Sequence, residues 1–148
     1  MPGPRALFDT NLYLNYLISP DPTGTAVDLA LEAGAEGVFQ LLLPDDVVAE
    51  LAAVILRRPY LATRIGQTEL EALLRRVLVF ATPVPPFEDE PPPVCRDPRD
   101  DYLIALAVIH AAHYIVTRDR DLLTLSEVAG VQIVDPVAFL RVLLSSRD

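Results

Sequence analysis

Carboxylates stand in this chain where apolar runs begin and end. Asp9 closes Ala6-Leu7-Phe8, and Glu50 lies inside the apolar stretch Val47 to Leu56. Asp97, Asp100 and Asp101 open the run Leu103 to Ile109, and Asp119 follows Tyr114-Ile115-Val116-Thr117. Acids ordinarily populate solvated faces, so acids placed at the ends of core elements predict a polar floor set into an apolar frame. Two carboxylates about 4 Å apart repel by about 4 kcal/mol at an effective dielectric near 20, so such a floor is strained on its own. Hard divalent cations favour all-oxygen sites of this kind. Magnesium or manganese there would remove the repulsion, polarise a phosphoryl oxygen and activate a water, which is the chemistry of phosphodiester hydrolysis.

Each acid also has a plainer reading. Asp97-Pro98-Arg99-Asp100 has the form of a helix start, with Asp at the N-cap, Pro in the first turn and an acid at the third position. Asp121 fits as the cap of a short helix, and Glu50 as a solvated helix residue. Asp9 is the hardest to explain this way, because it directly follows a buried strand. Thr10, Asn11 and Thr117 stand beside these acids, where they would either orient carboxylates or satisfy backbone. His110 and His113 are three apart, but no cysteine or histidine cluster completes a zinc site. Cys95 has no histidine base nearby in sequence. There is no Gly-x-Ser-x-Gly elbow and no phosphate-binding glycine loop, and all 12 basic residues are arginine, so a lysine-dependent nucleotide site is excluded. An aspartyl-phosphate mechanism on Asp9, as in haloacid-dehalogenase-like phosphatases, is a lesser alternative. Those enzymes place a second Asp two residues on, where this chain has Asn11, and use a basic partner that here cannot be lysine.

The elements that must position these residues alternate between strand and helix, which predicts an α/β fold with a mainly parallel sheet. Strands are expected at Arg5 to Phe8, Val38 to Leu43, Val77 to Ala81, Tyr114 to Thr117 and Val131 to Val134. Helices are expected at Asn11 to Ile18, Thr23 to Ala35, from Asp45 through Glu50, Gln67 to Arg76, Pro98 to about His113, near Asp121 to Leu125, and Pro136 to Leu144. Thr82 to Pro98 holds seven prolines and reads as an extended connector that can be neither regular helix nor central strand. The 148 residues, 51% of them hydrophobic, predict one domain spanning residues 1–148 with a core of its own. A single cysteine and the lack of any run near 18 apolar residues lead to the expectation of a soluble, cytoplasmic protein with no membrane span. The formal charge of −9 runs against simple electrostatic binding of nucleic acid, and would attract a basic protein partner.

Phe8-Asp9-Thr10-Asn11-Leu12, Val48-Ala49-Glu50-Leu51, Arg96-Asp97-Pro98-Arg99-Asp100-Asp101-Tyr102-Leu103-Ile104-Ala105 and Val116-Thr117-Arg118-Asp119-Arg120-Asp121-Leu122-Leu123 resemble, in order, the motifs of the PIN-domain ribonucleases. The chain is similar in particular to the VapC-like toxins of bacterial toxin–antitoxin pairs, and Val131 to Leu140 resembles that family's last strand and helix. The resemblance implies a three-layer α/β/α sandwich around a mainly parallel sheet. It also implies a magnesium- or manganese-dependent site that hydrolyses single-stranded or loop RNA. Asp9, Glu50, Asp101 and Asp119 match the family's acids, with Asp121 a companion and Asp100 a substitute for Asp101 one register away. Arg96, Arg99, Arg118 and Arg120 flank these acids and would hold phosphates or pair with the acids themselves. A small antitoxin partner and a homodimer are further implications. The other class of function open to such a chain is a PIN-like binding or scaffold module without turnover.

Overall fold

The computed structural model of the chain describes residues 3–59, 65–86 and 98–146. Among them, six strands form one sheet: β1 (Arg5–Phe8), β2 (Gln40–Pro44), β3 (Thr82–Val84), β4 (Tyr114–Val116), β5 (Glu127–Val128) and β6 (Val131–Val134). Their order is β3-β2-β1-β4-β6-β5, parallel throughout except for β5, which pairs antiparallel with β6. Seven described helices connect and cover the strands: α1 (Thr10–Ile18), α2 (Ala26–Ala35), α3 (Asp45–Arg57), α4 (Gln67–Leu78), α5 (Pro98–Ile109), α6 (Arg120–Leu125) and α7 (Pro136–Ser146). The central strands explain the layering. Ala6, Leu7 and Phe8 of β1 and Leu41, Leu42 and Leu43 of β2 are buried in succession, so both faces of the sheet are covered. The fold is therefore the α/β type expected, with helices on either side of a mainly parallel sheet.

Strand order decides where a ligand can sit. From β1 the chain moves outward to β2 and β3, then returns to lay β4 on the other side of β1. Connections leave β1 and β4 in opposite directions, which opens a crevice between them at their carboxyl ends. Phe8 pairs with Val116, so the residues that follow, Asp9 and Thr117, enter that crevice side by side. The sequence pattern requires this neighbourhood but does not contain it.

Several segments differ from the sequence expectation. Val77 and Leu78 are not strand but the end of α4, where buried Leu73 and Val77 lie four apart on the inner face while Leu78 is exposed. The apolar cluster Val77 to Ala81 carried a helical period that its β-branched composition concealed. The strand of this region, β3, lies instead inside the proline-rich stretch. It is tolerated there because β3 is an edge, paired with β2 alone, so Pro83 removes no second ladder bond. The helix expected to reach His113 stops at Ile109, and the chain turns through Ala111 at φ 55°. The short hairpin strand β5, turning into β6 through Ala129 at φ 50° and Gly130 at φ 86°, carried no apolar run to announce it. The capping role read for Asp97, the thiol Cys95 and Arg96 all lie outside the described residues.

Phe139 holds the last helix to the sheet. It is fully buried, packed edge-on against Phe39 at 4.9 Å and Phe8 at 6.0 Å between ring centroids. Phe139→Ala leaves a large void at the centre of this cluster and is expected to cost about 3–5 kcal/mol of stability in denaturant unfolding. A loss under about 1 kcal/mol would show that the cluster relaxes around the void and does not anchor α7.

Candidate active site

The site is assembled at the seam between β1 and β4. The parallel ladder runs one residue past both strands, with the Asp9 backbone N–H donating to the Val116 carbonyl at 3.0 Å. Opposite Asp9 stands Thr117, wholly buried, whose hydroxyl donates to Asp9 Oδ2 at 2.8 Å and accepts from the Asp119 N–H at 3.0 Å. One hydroxyl thus joins the acid at the end of β1 to the backbone that carries the acid after β4. Asp119 in turn caps α6, its Oδ1 accepting from the Asp121 N–H at 2.9 Å. On α3, Glu50 is held by a second buried threonine: Thr10 Oγ1 donates to Glu50 Oε2 at 3.1 Å.

These elements surround a cleft of about 260 Å³ whose polar lining includes Asp9, Asn11, Asp46, Glu50, Asp100 and Asp119. Of the acids expected at the site, Asp9, Glu50, Asp100 and Asp119 are brought together on this cleft. Asp101 and Asp121 are not among its lining: Asp101 is only 6% exposed, and Asp121 is exposed on α6 and meets the site through its backbone N–H. Consecutive helix residues point about 100° apart, so only one member of the Asp100-Asp101 doublet faces a given surface. Here that member is Asp100. Among the flanking arginines, neither Arg118 nor Arg120 lines the cleft.

Three lining residues went unremarked as site residues in the sequence. Asp46 is one turn before Glu50, and Arg58 is two turns after it, so Asp46, Glu50, Val54 and Arg58 form one stripe along α3 that faces the cleft. That spacing of four was visible in the sequence, but Asp46 reads equally well as a helix N-terminal acid. Tyr102 donates its hydroxyl to Asp46 across 56 residues of chain, a contact with no local signal.

The electrostatics follow from this crowding. Burial pushes the Asp9 carboxyl above its ordinary value; the Thr117 hydroxyl and the Asn11 N–H work against that rise, while the charges of Asp119 and Glu50 add to it. Asp9 is thus an acid held in a place that disfavours its ionised form. Among the described residues, no three His, Cys, Asp or Glu side chains stand close enough together to hold a metal ion as they are oriented. The donors facing the cleft are all hard oxygens, the kind that magnesium and manganese accept.

An α/β sandwich with carboxylates gathered at its topological switch point defines a class of sheet-edge acidic sites. Residues 5–121 match the PIN domain, and the chain belongs to the PIN-domain family, whose members are generally nucleases. The match contains all five acids that line the cleft and ends at Asp121, so β5, β6 and α7 complete the fold beyond it. No curated protein matches the chain. Among the described residues, no helix is long and apolar enough to cross a membrane.

Asp9→Asn removes the disfavoured charge and keeps an oxygen to accept from Thr117. Because burial raises the folded-state pKa, wild-type Asp9 favours folding while protonated and loses that contribution as pH rises through the raised value. The variant, free of divalent metal, is therefore expected to unfold a few degrees higher than wild type at neutral pH. The gap should close on acidification below the ordinary carboxylate range, where Asp9 is protonated in the folded and the unfolded chain alike. A gap that is absent, or constant across this range, would refute the electrostatic account. Thr117→Val keeps the shape and deletes both of its side-chain bonds, and is expected to cost about 1–3 kcal/mol as measured by urea unfolding.

Proposed function

We propose that the protein is a metal-dependent endoribonuclease that hydrolyses RNA phosphodiester bonds and serves as the toxin of a toxin–antitoxin pair. The observation that carries the nuclease reading is the meeting of Asp9, Glu50, Asp100 and Asp119, from four separate elements, on one cleft at the carboxyl edge of the sheet. Asp9 supports a cation there in a second way, since neighbouring negative charge bears on it and a divalent ion would relieve that pressure. When bound, magnesium or manganese supplies a polarised water and charge stabilisation at phosphorus. The chain's own residues do the rest. Asp9 and Asp119, joined through Thr117, present oxygens at the sheet edge as ligands. Asp100 presents another from the first turn of α5, and Glu50, steadied by Thr10, orients the attacking water. Attack by water and not by the ribose 2′-hydroxyl leaves a 5′-phosphate and a 3′-hydroxyl. In this assignment Asp100 takes the role that the sequence resemblance gave to Asp101. Asp121 supports the loop that carries Asp119.

The toxin role, a small antitoxin partner, a homodimer and a cytoplasmic setting complete the proposal, and rest on the ordered motifs set out above. The charge of −9 supports a basic partner through complementary fields. The side-chain spacing favours one second reading, a PIN-like binding module without turnover, since the acids as oriented do not gather three donors for one ion.

The deciding experiment is RNA cleavage by purified protein in manganese, in magnesium and in EDTA. Cutting is expected only with metal. Asp100→Asn is expected to lower it at least ~100-fold, as loss of a single transition-state contact commonly does. Asp101→Asn should keep most of the activity and show its effect in stability. The reverse ranking would return the ligand role to Asp101. Cutting that persists in EDTA and in Asp100→Asn would mark a contaminating nuclease and overturn the metal-dependent reading, and no cutting of any RNA by the wild type would leave the binding module as the reading.

A further inference from the structure

We infer that Arg58 grips a phosphate of the RNA strand some nucleotides along from the one being cut, and so fixes the path of the strand along α3. The inference rests on the ribonuclease reading above and adds a binding residue to it. Among the described residues, Arg58 is the only cation that lines the cleft; the other charged groups there are carboxylates. A polyanion entering such a cleft lies among carboxylates, so a cation in contact with the strand has a large effect on how it lies.

The plain explanation for a basic residue at this place is the helix terminus, where positive charge is favoured. Arg57 already fills it. Arg57 lies in the last turn of α3, and its Nε donates to the Ala53 carbonyl at 3.3 Å. Arg58 leaves helical geometry, at φ −114° and ψ 100°, and is exposed. Among the described residues it makes no ion pair, whereas Arg76 is bound to Asp28 at 2.9 Å. Arg58 is also set back from Glu50 along the stripe of α3. Eight residues separate it from Glu50, roughly 12 Å along the helix axis. That exceeds the Debye length of about 8 Å at physiological salt.

The same distance identifies the phosphate. It is greater than the roughly 3.4 Å rise of a stacked nucleotide, so Arg58 meets a phosphate further along the strand than the one at Glu50. The cleft is also lined by Val54 of α3, which lies between Glu50 and Arg58 in the stripe, and by Leu14 and Leu106, an apolar stretch suited to the nucleosides that lie between the two phosphates. A guanidinium offers a phosphate two parallel N–H donors, which fixes its orientation as well as its position.

The test is binding of a short fluorescein-labelled oligouridine to the full chain, with calcium as the oxygen-seeking cation, between about 50 and 200 mM salt. Arg58→Gln is expected to weaken binding about 10-fold. It should also flatten the slope of log affinity against log salt by about 0.7, the loss of one phosphate contact to a single strand. Arg58→Lys keeps the charge and should restore the slope. Arg141→Gln, outside the cleft, should change neither quantity, and all three variants should melt with the wild type. If Arg58→Gln binds with wild-type affinity and slope, or if Arg141→Gln loses as much, the phosphate contact is overturned while the ribonuclease reading stands. If the wild-type chain binds no RNA at all, both fall.

Discussion

The bond from the Thr117 hydroxyl to Asp9, 2.8 Å long at the seam of β1 and β4, is the interaction on which the site depends. It exists because two parallel strands pair in one register, Phe8 against Val116, and because the ladder continues for one residue beyond them. A slip of one residue would turn Asp9 to the other face and separate it from both Thr117 and Asp119. The same hydroxyl accepts from the Asp119 N–H, so the positions of two acids distant in sequence are set by one buried oxygen. The acids of α3 and α5 are then added from the walls, α3 starting directly after β2.

Two aspartates, Asp28 buried and Asp9 half-buried, show how the molecule separates support from chemistry. Burial raises both Asp9 and Asp28. At Asp28 the Gly24 N–H and the Arg76 guanidinium outweigh it, and its pKa ends below the ordinary carboxylate value. Arg76 also donates to Tyr16 at 2.8 Å, so this satisfied acid ties α1, α2 and α4 together away from the cleft. Among the described residues no cation answers the burial at Asp9, and its neighbours Asp119 and Glu50 add to the rise. The structural acid has its partner within the fold; the acid at the cleft is left in want of one. Perturbed groups of the second kind, set in a concave site, are where function is sought.

The apolar frame makes this tolerable. Leu7, Leu41, Ile115 and Phe139 are wholly buried, and burial of this sort supplies the stability against which a strained cleft is held. The acidic balance of the chain has the same logic. With arginine in place of lysine throughout, its cations suit planar, two-point contact with carboxylates and phosphates, and among the described residues Arg58 stands on the cleft.

Much of this was legible in the order of residues. Continuous apolar runs such as Leu41-Leu42-Leu43 can be satisfied only by strands covered on both faces, so the alternation of strand and helix followed from local physics. Asp9 was legible for the same reason, because a charge at the end of a buried strand has no local purpose. Glu50 and Asp119 became legible through the ordered PIN motifs. Other features were not. Val77 and Leu78 belong to α4 because Leu73 and Val77 share a buried face, which packing selects and composition does not. The choice between Asp100 and Asp101 turns on which side of α5 faces the cleft, and adjacent residues of a doublet are equivalent until the helix is docked. Asp46 with Tyr102, Thr10 with Glu50 and Thr117 with Asp9 are contacts across 40 to 108 positions, invisible to any window of sequence. The sequence alone determined which elements form and which residue types could act, since periodicity and burial are local properties. Only the tertiary structure decided which of those residues meet, because strand order and helix rotation come from packing the whole chain at once.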